Sequence, residues 1–212
     1  IEHVHNEGLT LKHTATADDR PFILTLATGE TDMQANDVLG SLRFRAPDEG
    51  TGTDAITVYA EILAISEGDF SASNNATSLH FRTGLSGAAT DKMTLSSTGV
   101  LTANVVLGGT DTDTSNTGNV TLDFSANQNF VLTLTGNTTL VNPSTEQVGQ
   151  SGFIAFIQDG TGGRTITLGT DYETAGAAGL TLSSGASKTD LVPYVVVAAN
   201  RILLGQPQRD FS

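Results

Sequence analysis

The chain has 212 residues, enough for one large domain or two small ones. Ten Lys and Arg stand against 23 Asp and Glu, a net charge of −13, which argues against a surface that grips phosphate backbones or anionic lipid. Without Cys, no disulfide, thiolate metal site or cysteine nucleophile can form, and 16% charged against 38% hydrophobic residues is the wrong balance for a solvated disordered tail.

Apolar–polar alternation, the period-2 signature of strands, recurs along the chain. It appears at 9–11 (LTL), 22–26 (FILTL), 41–45 (SLRFR), 56–63 (ITVYAEIL), 78–82 (SLHFR), 92–95 (KMTL) and 100–106. A short turn over 31–39 is the best candidate for anything helical. The alternation resumes at 119–124 (NVTLDF), 130–134 (FVLTL), 152–158 (GFIAFIQ), 165–168 (TITL), 180–182 (LTL), 194–198 (YVVVA) and 201–204 (RILL). Between these runs lie turn formers such as 47–50 (PDEG) and 160–163 (GTGG), where Gly supplies positive φ and Asp bonds its own backbone. The longest apolar run, 191–199, falls well short of the roughly 20 residues that span a bilayer as a helix. Ile1 reads as a trimmed or processed end, and the residues after it carry no charged-then-apolar signal pattern.

The pattern therefore predicts an all-β protein. A short-stranded, fibre-like module is expected over 1–107 and a polar linker over 108–118, where almost nothing is apolar. A C-terminal β-sandwich or jelly-roll-like domain is expected over 119–212. The first module holds too little apolar mass for an autonomous core, and its edges invite pairing. Intertwined or side-by-side packing of copies, as a homotrimer, answers both difficulties. The positions expected to carry assembly are Leu42, Phe44, Leu79, Phe81, Met93 and Leu95. The expected C-terminal core includes Phe153, Ile154, Phe156 and Ile157.

A weak internal echo links 41–46 (SLRFRA) to 78–83 (SLHFRT). Together with 39–46 (LGSLRFRA), 59–62 (YAEI) and 91–100 (DKMTLSSTGV), it resembles the shaft modules of tailed-bacteriophage fibre proteins. The second half, from 118–124 (GNVTLDF) through 149–160 (GQSGFIAFIQDG) to 201–205 (RILLG), is similar to the C-terminal β-domain of phage virion structural proteins of the marine type. The resemblance implies a homotrimer on the virion, as tail fibre, head fibre or decoration protein. It also implies contacts with other virion proteins and with a host surface glycan or protein. It carries no enzymatic residue to this chain, and neither nucleic-acid binding nor membrane insertion is expected. A bacterial extracellular filament subunit or adhesin at the cell surface is the alternative that the composition also fits.

Candidate chemical sites are few. His3 and His5, two apart, would share one face of a strand. On a threefold axis, three such pairs supply six nitrogens for a transition metal, as in His-x-His motifs of some phage spikes; a solvated or interface pair is the other reading. His13 and His80 read as surface or packed residues. The run 111–115 (DTDTS) alternates oxygens, but Asn116 and Leu122 stand where a calcium loop needs Gly and Glu. For a polysaccharide hydrolase, Glu61, Glu67 and Asp69 are the nearest carboxylates, yet nothing in the sequence fixes them in a pocket. No Gly-x-Ser-x-Gly elbow occurs, and Trp is absent. No enzyme and no cofactor beyond the His-x-His metal are expected.

Overall fold

A computed structural model describes residues 2–4, 8–45 and 57–212. It is all-β, with no α-helix among the described residues and a single 3₁₀ turn at Ala175–Ala177. The chain divides into two compact units, Ile1–Val106 and Leu107–Ser212.

In the first unit, β1 (Glu2–Val4) and β2 (Gly8–Thr10) pair antiparallel. Five strands then form an antiparallel meander in chain order: β3 (Val38–Arg45), β4 (Val58–Ser66), β5 (Thr77–Thr83), β6 (Thr90–Leu95) and β7 (Leu101–Ala103). The alternating run 22–26 is not a strand. Two of its side chains instead lie over the meander: Leu24 and Leu26 line a groove with Leu39, Gly40, Leu42, Ile62 and Leu79. Gly40 permits this approach, because a Cβ there would stand 2.9 Å from the Cβ of Leu26. The expected helical turn over 31–39 is a loop in which Asn36 takes φ 76° and the Gln34 N–H donates to Asp37 Oδ2 at 2.6 Å. Asn is among the few residues that accept this left-handed backbone, so the chain turns once and enters β3 rather than winding on.

In the second unit, eight strands share one hydrogen-bonded network rather than two. They are β8 (Thr110–Val120), β9 (Asn129–Leu140), β10 (Ser151–Gln158), β11 (Ile166–Leu168), β12 (Tyr172–Thr174), β13 (Thr189–Ala198), β14 (Arg201–Leu204) and β15 (Gln208–Phe211). The long strand β9 organises it. Parallel β8 runs along one edge, and the other edge pairs first with β10 and then with β11, both parallel. Beyond β10, the antiparallel β13 carries β14 and β15, and β12 closes on β14.

The polar run expected as a linker over 108–118 is thus a strand from Thr110 onward. An edge strand needs partners on one side only, so its polar side chains can face water while its backbone joins the ladder. The one deeply buried side chain in it, Asn116, donates through Nδ2 to the carbonyls of Asp113 and Thr133, 3.2 and 3.1 Å away, where the register slips.

Even-numbered residues of β9, β10, β13 and β14 face one core. Phe130, Leu132, Leu134, Leu140, Ile154, Phe156, Val192, Tyr194, Val196, Ile202 and Leu204 are buried in it with Leu122 and Phe124. Of the expected core positions, Ile154 and Phe156 are there; Phe153 and Ile157 lie on the opposite sheet face and are half-buried. The continuous apolar run hid a strand with two unlike faces. At the aromatic centre, Phe124 stands 5.0 Å from Phe130 and 5.3 Å, edge-on, from Tyr194. The Tyr194 hydroxyl donates to the Gln128 carbonyl at 2.7 Å, and burial pushes its pKa up to about 12. Its cross-strand partner is Gly152, where a Cβ would collide with that same carbonyl at 2.1 Å. Tyr194→Phe leaves the carbonyl without this donor and is expected to cost about 1 kcal/mol, read as a lower urea midpoint at unchanged slope.

The 160–163 segment forms the expected tight turn. Asp159 Oδ1 accepts from the Thr161 and Gly162 N–H groups, and Asp159 Oδ2 pairs with Arg164 Nη2 at 2.7 Å. The Arg164 hydrogen bond, then the Gly162 N–H, hold the Asp159 pKa down at about 2. A depressed carboxylate contributes stability above its ordinary value of 3.8 and loses it as the pH falls toward about 2. The difference in melting temperature between the wild type and Asp159→Asn is therefore expected to be full at pH 5 and to close on acidification, followed by circular dichroism.

Candidate functional site

The five-stranded sheet has two faces of opposite chemistry, and the register assigns each side chain to one of them. Across the strands, one face carries Leu42, Ile62, Phe81, Met93 and Ala103 in a row. A second row on that face runs Gly40, Ala64, Leu79, Leu95 and Leu101, with Phe44 and Ala60 beyond. No charged side chain belongs to these rows. Leu42 and Phe44 are about half exposed (50% and 51%), and Ile62, Leu79, Leu95 and Leu101 are exposed as well. All six expected assembly residues share this face: Leu42, Phe44, Leu79, Phe81, Met93 and Leu95.

The opposite face is polar, and its central strand β4 is buried. Leu63, Ile65 and Glu61 on β4 are buried there, Glu61 at 7% exposure. A charged row crosses it: Arg43, Glu61, Arg82 and Asp91 face each other on β3, β4, β5 and β6. Arg43 Nε reaches Glu61 Oε1 at 2.6 Å, Arg82 Nη1 approaches Glu61 Oε2 at 3.6 Å, and Arg82 Nε donates to Asp91 Oδ1 at 2.6 Å. Burial pushes the Glu61 pKa up, but hydrogen bonding and charge from Arg43, with Ser41 and Arg82 behind, outweigh it and leave Glu61 below its ordinary value. The Arg82 hydrogen bond does the same for Asp91. Glu61 is therefore held in ion pairs and is not a proton donor poised for hydrolysis. Glu67, the second carboxylate singled out in the sequence, accepts from the Ser97 N–H at 3.0 Å and from its hydroxyl. Asp69 accepts from the Ala35 N–H at 3.1 Å. Each of the three has a different structural partner, so no paired-carboxylate site is assembled.

The same polar face places Ser78, His80 and Asp91 in one hydrogen-bonded line. Ser78 Oγ is 2.8 Å from His80 Nε2, and His80 Nδ1 is 3.0 Å from Asp91 Oδ1. His80, read from the sequence as an isolated surface or packed residue, is neither isolated nor fully exposed.

His5 lies outside the described residues. His3 sits in β1 opposite Leu9. The run 111–115 is part of β8, where Asp113 Oδ1 accepts from the Ser115 N–H at 3.1 Å. Among the described residues, no group of three or more His, Cys, Asp or Glu side chains could hold a metal ion.

The fold thus describes an all-β chain with a sheet-on-core C-terminal unit and an N-terminal meander with an uncovered apolar face. Residues 112–197, within the second unit, match the family described as "Putative phage tail fibre C-terminal domain". The match supports a phage tail-fibre or virion protein with a structural role. No curated protein and no solved structure matches the chain. No helix among the described residues is long and apolar enough to cross a membrane.

Proposed function

We propose that the chain is a subunit of a tailed-phage fibre, that three copies assemble through the apolar face of the β3–β7 sheet, and that the assembled fibre serves attachment to the host surface. The observation that carries the assembly reading is the apolar face of the sheet: Leu42, Phe44, Ile62, Leu79 and Leu95 share it without a charged side chain among them, and each is more than a third exposed. A single antiparallel layer needs a second layer against its apolar side. Leu24 and Leu26 border a groove on that side but leave Leu42, Ile62 and Leu79 more than a third exposed. Copies that each carry a net charge of −13 repel one another over most of their surface, and an uncharged face is where they can meet. Three such sheets closing around an axis bury all three faces with no open edge of the interface left over, which a head-to-tail arrangement does not achieve.

The localisation that follows is the virion, and attachment rests on the family of the second unit rather than on any one loop. Sedimentation velocity of the purified chain tests the assembly. A discrete species of three chains is expected. An open-ended series of larger species would instead favour the filament reading, and a monomer at all concentrations would overturn the proposal.

A further inference from the structure

We propose that Ser78, His80 and Asp91 form a hydrolytic triad on the polar face of the β3–β7 sheet, acting on small carboxylic esters. Ser78 and His80 are two apart on β5 and therefore share a face. The contacts run from hydroxyl to imidazole to carboxylate, 2.8 Å and then 3.0 Å. This is the order that activates a serine: a base to take the hydroxyl proton and an acid to orient the base.

Asp91 reaches this face through a backbone irregularity. Phe81 pairs with Met93, but Arg82 pairs with Asp91, so Lys92 is an extra residue in β6. In a regular strand Asp91 and Met93 would point the same way, and Asp91 would lie on the apolar face. The bulge turns it over, as bulges beside functional sites do. Without it Asp91 would lie on the apolar face, and the Asp91–His80 contact would not form.

The chemistry around the line fits the role. Arg82 and His80 keep Asp91 ionised. With Asp91 accepting from Nδ1–H, the Nε2 of a neutral imidazole is left as an acceptor toward Ser78. Ser78 Oγ also lies 3.3 Å from the Ile65 carbonyl; the hydroxyl has one proton, and the shorter contact to His80 takes it. The three side chains line an open cleft of about 490 Å³ with Asn36, Ser66, Arg82 and Glu67, whose carboxylate is tied to Ser97. Asn36 and Arg82 line the cleft, and the Arg82 guanidinium, though paired with Asp91 and Glu61, puts positive charge beside the site of a developing oxyanion. Apolar lining is limited to Val38 and Ile65, which suits a short acyl group. An open cleft without a long groove suits an ester, whose alcohol leaves more readily than an amine.

In the proposed reaction Ser78 Oγ bonds to the ester carbonyl carbon as its proton passes to His80 Nε2. The carbon–oxygen bond to the alcohol breaks, and His80 returns the proton to the departing alcohol. Water then attacks the acyl-serine, giving its proton to His80. The serine leaves protonated and the carboxylic acid is released, so ester and water become acid and alcohol with nothing else consumed. The cleft is on the sheet face opposite Leu42 and Phe81, so the inference does not depend on how copies assemble.

The test uses the full chain, p-nitrophenyl acetate and a fluorophosphonate. One covalent phosphonyl adduct per chain is expected, mapped by peptide mass spectrometry to Ser78. Ester hydrolysis is expected to fall about 100-fold or more in Ser78→Ala, and in Asp91→Asn with kcat reduced and KM little changed. A purely structural hydrogen-bonded row predicts the opposite: no adduct on Ser78 in the folded wild type, or hydrolysis unaltered by Ser78→Ala. Either result overturns the proposal. The labelling is done on the wild type and so stands even if a variant fails to fold.

Discussion

Phe130→Ala is expected to remove about 3–5 kcal/mol from the stability of the second unit, a large part of what holds a typical domain together. Phe130 has no exposed surface. It sits in β9 between β8 and β10, opposite Asp111 on one side and Ile154 on the other, so the backbone around it is bonded on both edges. Its ring packs on Phe124 and lies 6.4 Å from Tyr194, while Tyr194 is itself fixed by its bond to the Gln128 carbonyl. Neighbours held this firmly cannot move in to fill the space, so the cost includes the cavity as well as the lost transfer energy. Urea denaturation followed by tyrosine fluorescence reads it as a lower midpoint at unchanged slope. Phe153→Ala, on the half-buried outer face of β10, is expected to cost clearly less. Equal losses at the two positions would mean that the sheet is not sided as described.

The sidedness of the first unit was legible in the sequence because alternation alone assigns a strand's faces. Leu42 and Phe44, Leu79 and Phe81, and Met93 and Leu95 are each two apart, and the register brings all six to one face. The same rule misled at 22–26, which alternates but finds no strand to pair with and lies across the sheet instead. It failed in the other direction at 108–118. Backbone pairing along an edge asks little of side chains, so a run almost without apolar residues is strand from Thr110. The short strands β12 and β15 gave too little pattern to register. Tyr172–Thr174 is held by pairing with β14, each residue with a partner 30 positions further along the chain. The Ser78–His80–Asp91 line was half visible. Ser-x-His on a strand puts the two side chains on one face, but the acid depends on the extra residue at Lys92, which flips the phase of β6. Spacing in the sequence does not disclose a bulge.

Ile62→Asp is expected to convert the proposed trimer to monomer without unfolding the chain. Ile62 is in the central strand β4 of the meander, between Leu42 and Phe81, and its side chain is 37% exposed in the isolated chain. In one copy, a carboxylate there remains in contact with water and the fold tolerates it. In an assembly built on this face, each copy brings its carboxylate into an apolar interior with no cation in the rows that share the face. The effective penalty for burying an unpaired charge is several kcal/mol per ion, and each 1.4 kcal/mol is a tenfold change in a dissociation constant. A weakening of at least about 100-fold follows even if the carboxylates escape most of that penalty by protonation. Thr102→Asp is the control. Thr102 pairs with Thr94 in the rows that alternate with the apolar ones and is exposed, so the same charge added there should leave the sedimentation profile as it is in the wild type. If Ile62→Asp sediments as the wild type does while remaining folded by circular dichroism, the apolar face is not where the copies meet.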